Sequence, residues 1–442
     1  MSGPGGVGAD RAPSGLPPLR IPRCLLDPSA PLPIADADGL VAVRLRQQEG
    51  RLVGIDPCSP AEAAGPLPLA LTPLVEPHAH LDKAYTAPPH TNREGTLDGA
   101  LRANQAEAAG RDRPLVLERA ERALERAWRH GLRAIRSHID SHGAAGAASW
   151  EALVELRQRW AGRVELELVA LVPVGHWRTA EGRALAQRVG AAGGLLGGVL
   201  GAPFPRTPQD GDNLETLLAL AEHHGCGVDL HIDESDVQHA DGVRLVVRQL
   251  RRRGGGPPLT CSHAASMGLL RQGPCQRLAE AMADLALSVV ALPTTNLWLL
   301  GRRRGATPRL RAQAPIRQLQ AAGVQVAVGG DNVQDPWFPG GDFDPVGLLR
   351  FTAVASHVVP WQRQGLAPFG SAGAALLGLP WDGVLRLGGP ADLVVLGAGS
   401  WEELLARDPQ RRVLRAGRWL PPPEAEAPSA LLAGLGQDHG PP

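Results

Sequence analysis

Residues 72–83 read TPLVEPHAHLDK, and the fold turns on how that stretch is read. A short apolar run through Leu74 and Val75 ends in Glu76 and Pro77, and then in His78-Ala79-His80. Side chains repeat every two residues along a strand, so His78 and His80 leave its end on one side. Two neutral imidazoles placed that way suit a divalent ion such as Zn²⁺ or Fe²⁺. A His-x-His pair alone is a weak sign, because such pairs also arise by chance on surfaces. Its weight depends on what else the chain places at comparable positions.

Working outward, apolar strand-like runs recur at 72–76, 132–140, 164–174, 195–202, 226–234, 258–263, 287–292 and 324–331. Most are rich in Val, Leu and Ile without clean alternation, as strands buried on both faces should be. Amphipathic segments lie between them. The one at 115–130 follows Pro114 and stops at Gly131. Ser149 is the expected cap of a helix ending before Gly162, and Asn213 of one ending before Gly225. Segments 241–253, 274–286 and 315–322 continue the alternation. Eight strands alternating with helices over roughly 290 residues indicate an α/β fold, a (β/α)8 TIM barrel. A doubly wound open sheet is the competing arrangement, but no GxGxxG follows the first strand.

The flanks differ in style. Residues 21–71 and 381–420 are Pro- and Gly-rich, with short β-like pieces such as GLVAVRL and ADLVVLG. They are expected to pair into one small β-sandwich-like domain, with the barrel over 72–380. Residues 1–20 read as a disordered leader without the basic and apolar regions of a secretory signal, and 421–442 as a flexible tail.

Composition excludes several function classes. Lys+Arg and Asp+Glu both total 45, which argues against nucleic acid or an anionic membrane as partner. No apolar run of about 18 residues could span a bilayer. Five cysteines without CxxC spacing fit reduced thiols in the cytoplasm. Nearly every cation is Arg; Lys83 is the single lysine.

Polar clusters close four of the eight runs: EPHAHLDK at 76–83, HIDE at 231–234, SH at 262–263 and GGDN at 329–332. Barrel strands all open their C-terminal ends on one face, so these clusters converge. A third imidazole and a carboxylate beside His78 and His80 would complete an ion site with room for water. Taken alone, His231 reads as a buried core histidine. With Glu234 three residues on, it opens an HxxE whose carboxyl can shuttle a proton. His263 can polarise the bond under attack as a neutral donor, and Asp331 can bind the ion and accept a proton.

The ordered set VEPHAHLDK, HIDESD, SHAASM and GGDNVQDPWFP resembles the cytosine deaminase branch of the metal-dependent amidohydrolase superfamily, from about residue 72 to 380. The resemblance implies that His78, His80, His231 and Asp331 bind one divalent ion, Zn or Fe. It also implies that Glu234 shuttles protons, that His263 assists at the substrate and that Trp337 lies beside the bound ring. Two-metal members carry a carboxylated Lys on strand four; here LLGGVLGAPF has none, so a single ion is expected. Two departures bear on substrate. The Gln that reads the pyrimidine amide after strand three is absent from LVALVPVGHW, and Asn332 stands where the family has a second Asp. His176 and Trp177 follow that strand end and are candidate replacement contacts. Lys83, with an adjustable point charge that Arg cannot supply, and Asn332 are further candidate substrate contacts. His138 and Asp140 end strand two, lining the pocket or bonding structurally, Asp335 braces the strand-eight loop, and His142, His223, His224 and His239 read as surface residues.

The expected enzyme is a hydrolase acting on C–N bonds: a metal-bound hydroxide deaminates a small nitrogen heterocycle or cleaves an exocyclic C–N bond of it. Alternatives are a cyclic-amide hydrolase on the same scaffold and a metal-binding barrel without catalysis. The partner is a small molecule, and assembly into a homo-oligomer is compatible with the sequence.

Overall fold

The computed structural model describes residues 14–202, 204–362 and 364–421. Eight parallel strands follow one another in the sheet in chain order. They are β1 (Leu74–Ala79), β2 (Leu132–Asp140), β3 (Glu165–Leu171), β4 (Leu195–Leu200), β5 (Val228–Ile232), β6 (Leu259–His263), β7 (Ser288–Ala291) and β8 (Gln325–Val328). The loop after β8 returns to β1: Asp331 bridges Ala79 in parallel, and its backbone N–H donates to His78 O at 3.0 Å. The sheet thus curls into a (β/α)8 barrel. Register sets the strand ends level, with His231 opposite Ser262 and Ile232 opposite His263.

Helices cover the strands in the expected alternation: α1 (Leu97–Ala108), α2 (Arg113–Arg129), α3 (Gly143–Trp160), α4 (Ala180–Ala191), α5 (Asp210–His224), α6 (Asp241–Arg253), α7 (Gln272–Asp284), α8 (Pro293–Leu299), α9 (Ile316–Ala321) and α10 (Pro345–Ser356). In α6 the spacing of Val243, Val246, Val247 and Leu250 puts one apolar stripe inside. Each such side chain contributes roughly 1.5–3 kcal/mol on burial. Arg251, Arg252 and Arg253 fall in its last turn, where cations suit the helix dipole.

Two helix starts differ from expectation. The Ala-rich run after His142 carries α3 upstream of Ser149, which sits mid-helix and donates to Ala145 O at 2.9 Å. In α5 the start moves to Asp210, whose carboxylate accepts from Thr207 N at 3.0 Å, leaving Asn213 inside the first turn. Helices α1, α4, α8 and α10 were not anticipated.

The barrel belongs to a unit of residues 73–128 and 132–384; the other unit's described residues are 14–72, 129–131 and 385–421. The latter contains one eight-stranded, largely antiparallel sheet built from both ends of the described chain. Residues 1–13 of the expected leader and 422–442 of the expected tail lie outside the described residues. Residues 14–20, expected in the leader, instead join that sheet: Ser14 pairs with Gln47, and Leu19 with Val43. The reason is burial, with Leu16, Leu19 and Ile21 all inside the core.

Candidate metal centre and active site

His78 brings Nε2 to 3.2 Å from His231 Nε2 and 3.6 Å from Asp331 Oδ1. His80 brings Nε2 to 3.4 Å from His231 Nε2 and 3.2 Å from Asp331 Oδ1. Bonds of about 2.0–2.1 Å to a tetrahedral ion imply ligand–ligand edges of roughly 3.3–3.4 Å, so the spacing fits such an ion.

The proton positions agree. His80 Nδ1 lies 3.0 Å from His138 O; a carbonyl only accepts, so the proton is on Nδ1 and Nε2 is bare. Ser262 Oγ donates to Asp229 Oδ1 at 2.7 Å and lies 3.0 Å from His78 Nδ1. It therefore accepts from His78 Nδ1–H, and that Nε2 is bare as well. Burial, then neighbouring imidazoles, push the pKa of His78 and His231 well below the usual value, which keeps both neutral. Burial works to raise the pKa of Asp331, but the imidazoles of His80 and His263 that face it outweigh that and lower it. Asp331 Oδ2 has no hydrogen-bond partner among the described residues. The bare Nε2 atoms of His78 and His80 and the Asp331 carboxylate thus form a set of acceptors beside His231 Nε2 that a cation satisfies.

His138 was not anticipated as part of the cluster. It stacks on His78 with ring centroids 3.7 Å apart, and its ligand atom falls within reach of His78 and His231. That triplet carries no anion, whereas His78, His80 and Asp331 supply a carboxylate against the ion's charge.

The groups expected to handle protons lie beside this cluster. In the HIDE segment, Asp233 caps α6, accepting from Gly242 N and Val243 N at 2.9 Å each. Glu234 instead lines a cavity of about 270 Å³ together with His80, His231, His263 and Asp331. Burial, and then Asp331, push its pKa well above the usual carboxylate value. Asn296 donates to His263 Nδ1 at 2.9 Å, which leaves His263 Nε2 protonated, 3.7 Å from Glu234 Oε2. Burial lowers the pKa of His263 to about 4, so the ring is a neutral donor. His263 and Asp331 both hold positive φ, 69° and 67°. Non-glycine residues pay about 1–3 kcal/mol for such backbone, a strain concentrated at functional sites.

The cavity also takes in Lys83, Trp337 and Asn332. Lys83 donates to Asp140 Oδ1 at 2.9 Å. Burial opposes its charge, but Asp140, Asp82 and Asp335 outweigh it and raise its pKa. The Asn332 amide is engaged at both ends, donating to Asp335 at 2.8 Å and accepting from Thr295 at 3.1 Å. Asp335 in turn accepts from the backbone N–H of Trp337 and Phe338, bracing the loop.

His176 is not brought to the cavity, contrary to expectation. Past β3 the chain turns into a short 3₁₀ helix, Val174–Arg178. Val172 and Pro173 line the cavity, while His176 packs edge-on against His142 at 5.4 Å. Trp177 is fully buried, and its Nε1 donates to Gly197 O at 2.9 Å. His142, read as a surface residue, is exposed and also lines the cavity. Sequence reasoning missed Asp229, Ser262, Asn296 and Asn104; only Ser262 carried a signal, by adjoining His263.

A model of the Amidohydrolase family matches residues 90–420. A pterin deaminase from Rhizobium rhizogenes is 33% identical over 344 residues, covering 77% of this chain and 78% of that protein. Among solved structures, 5-methylcytosine deaminase from Klebsiella pneumoniae liganded with 5-fluorocytosine superposes with a TM-score of 0.76 at 25% identity, covering 92% of this chain and 98% of the other. N-isopropylammelide isopropylaminohydrolase from Burkholderia multivorans superposes with a TM-score of 0.69, also at 25% identity, covering 91% and 98%.

Proposed function

The chain belongs to the amidohydrolase family, and from that premise we propose that it hydrolytically deaminates a small nitrogen heterocycle, with His78, His80, His231 and Asp331 holding one divalent ion. The observation that carries this reading is the meeting of bare imidazole nitrogens with Asp331 Oδ1 at 3.2–3.6 Å, in one cavity with Glu234 and His263. Such an ion, when bound, would supply Lewis acidity that lowers the pKa of a coordinated water toward neutrality.

The chain's own groups do the rest. Asp331 Oδ2, without a hydrogen-bond partner among the described residues, accepts a proton from the attacking water. Glu234 carries a proton to the ring nitrogen and then to the departing amine. His263 Nε2–H stabilises the oxygen that develops on the attacked carbon. Trp337 packs beside the ring. Water adds, ammonia leaves, and the amino-bearing carbon becomes a carbonyl. Relatives named as deaminases and an aminohydrolase favour loss of an exocyclic amine over opening of a cyclic amide. Val172 and Pro173 supply no amide where a cytosine-reading Gln would stand, which favours a ring other than cytosine, such as a pterin.

The ligand types suit Zn²⁺ or Fe²⁺. Five free cysteines suit a cytoplasmic enzyme, and no helix among the described residues is long and apolar enough to cross a membrane. The test is ammonia release from pterins, cytosines and triazines by protein loaded in turn with Zn²⁺ and Fe²⁺, alongside metal analysis. About one ion per chain and release from at least one ring are expected. Metal-loaded protein that binds a ring without turning it over would instead support a barrel without catalysis.

A further inference from the structure

Lys83, Asn104 and Asp140 line the cavity together. Asp140, at the end of β2, accepts Lys83 Nζ on Oδ1 at 2.9 Å and Asn104 Nδ2 on Oδ2 at 3.0 Å. One carboxylate thus holds an ammonium and an amide side by side. A carboxylate kept ionised by Lys83 and Arg111 can only accept, so the Asn104 amide must turn its NH₂ toward it. The amide oxygen is left over: Asn104 Oδ1 is buried with no hydrogen-bond partner among the described residues. Lys83 has three N–H donors, and Asp140 uses one.

A donor and an acceptor therefore stand next to each other, each lacking a complement. Their complement is a lactam, a ring carbonyl with an adjacent ring N–H. Leaving a buried acceptor unpaired is costly, and a bound lactam removes that cost. Charge agrees with a neutral ring. Around this wall Lys83, Arg111 and Arg119 are each ion-paired, with Asp140, Asp82 and Glu107, so no cation is left to call for an anionic ring. The arrangement also gives the single lysine a role, since Arg's planar fork cannot act as a compact donor beside Asn104.

We propose that Lys83 Nζ and Asn104 Oδ1, bracketed by the carboxylate of Asp140, read the lactam of the substrate ring: Lys83 donates to the carbonyl, and the ring N–H donates to Asn104. The pair does from the loop after β1 and from α1 the work of the amide absent after β3, and the substrate class is an amino-substituted heterocycle carrying a lactam N–H. Asp140 is a positioning residue. The inference rests on the deaminase reading above for its chemistry, but not for its recognition.

The test compares pterin with 3-methylpterin, which lacks the lactam N–H. Metal-loaded wild type is expected to favour pterin in kcat/KM by about 100-fold or more. Asn104→Leu should bring the two rings within about tenfold, chiefly through KM. Lys83→Met should lower kcat/KM for pterin by about 10- to 100-fold. An Asn104→Leu enzyme that keeps the wild-type preference overturns the proposal. If wild type turns over neither ring, the deaminase reading fails by itself, and quenching of the pterins' own fluorescence decides recognition. Tighter binding of pterin by wild type, lost in Asn104→Leu, sustains the proposal. Equal binding of both rings, or binding of neither, overturns it.

Discussion

His78 offers Nε2 to the ion site because Nδ1 is committed to Ser262, and Ser262 is itself held by Asp229. Removing the hydroxyl in Ser262→Ala frees the ring to rotate and to change tautomer. The expected result is a loss of about 10- to 100-fold in metal affinity, read by competition with a chromogenic chelator, with Ser262→Thr restoring most of it. An unchanged affinity would mean that ring orientation comes from packing against His138 alone. His263 is set by the same logic, with Asn296 occupying Nδ1 so that Nε2 carries the proton. His263→Ala should lower kcat by about 10²–10³-fold while leaving metal content at the wild-type level; steady-state kinetics with metal analysis checks both.

Among the elements, β2, β3, β5 and β6 are joined inside the barrel by one side chain. Arg136 Nε donates to Glu167 at 2.6 Å, and Nη1 donates to Asp229 at 2.8 Å and Thr260 at 3.2 Å. Nη2 reaches Leu376 O at 3.0 Å. Burial opposes the guanidinium charge, but Glu167 and Asp229 outweigh it and raise its pKa. Arg136→Leu leaves Asp229 buried without its cation, a class of change that costs about 3–5 kcal/mol. Urea denaturation should show the unfolding free energy fall by that amount, and Ser262, which leans on Asp229, should lose part of its hold on His78. Nothing in the sequence marked Arg136, because arginine is the ordinary cation of this chain.

For the whole molecule, the ion site ties β1, β5 and the loop after β8, so the ion should stabilise the folded barrel as well as its chemistry. Ligand bound only by the native state adds about 4 kcal/mol at a thousandfold excess over Kd. Exhaustive chelation should therefore lower the thermal midpoint, and Zn²⁺ should restore it; identical midpoints with and without metal would count against the four-ligand site. The barrel, and the meeting of the His and Asp cluster with Glu234 and His263, could be anticipated from the chain because their signals are local: period-two spacing at a strand end, an apolar run, a helix stop. Parallel topology then carries four separate strand ends to one face whatever the details of packing. His176 misled because a 3₁₀ turn, which leaves no periodic trace, redirects the chain after β3. Sequence alone thus determined the fold class and the residue types available to the ion. Tertiary structure alone decided which nitrogen of His78 and of His80 is bare, what holds Asp229, and that Asn104 meets Asp140 beside Lys83. Those are contacts between residues far apart in the chain, selected by sheet register and helix docking, and no local pattern encodes them.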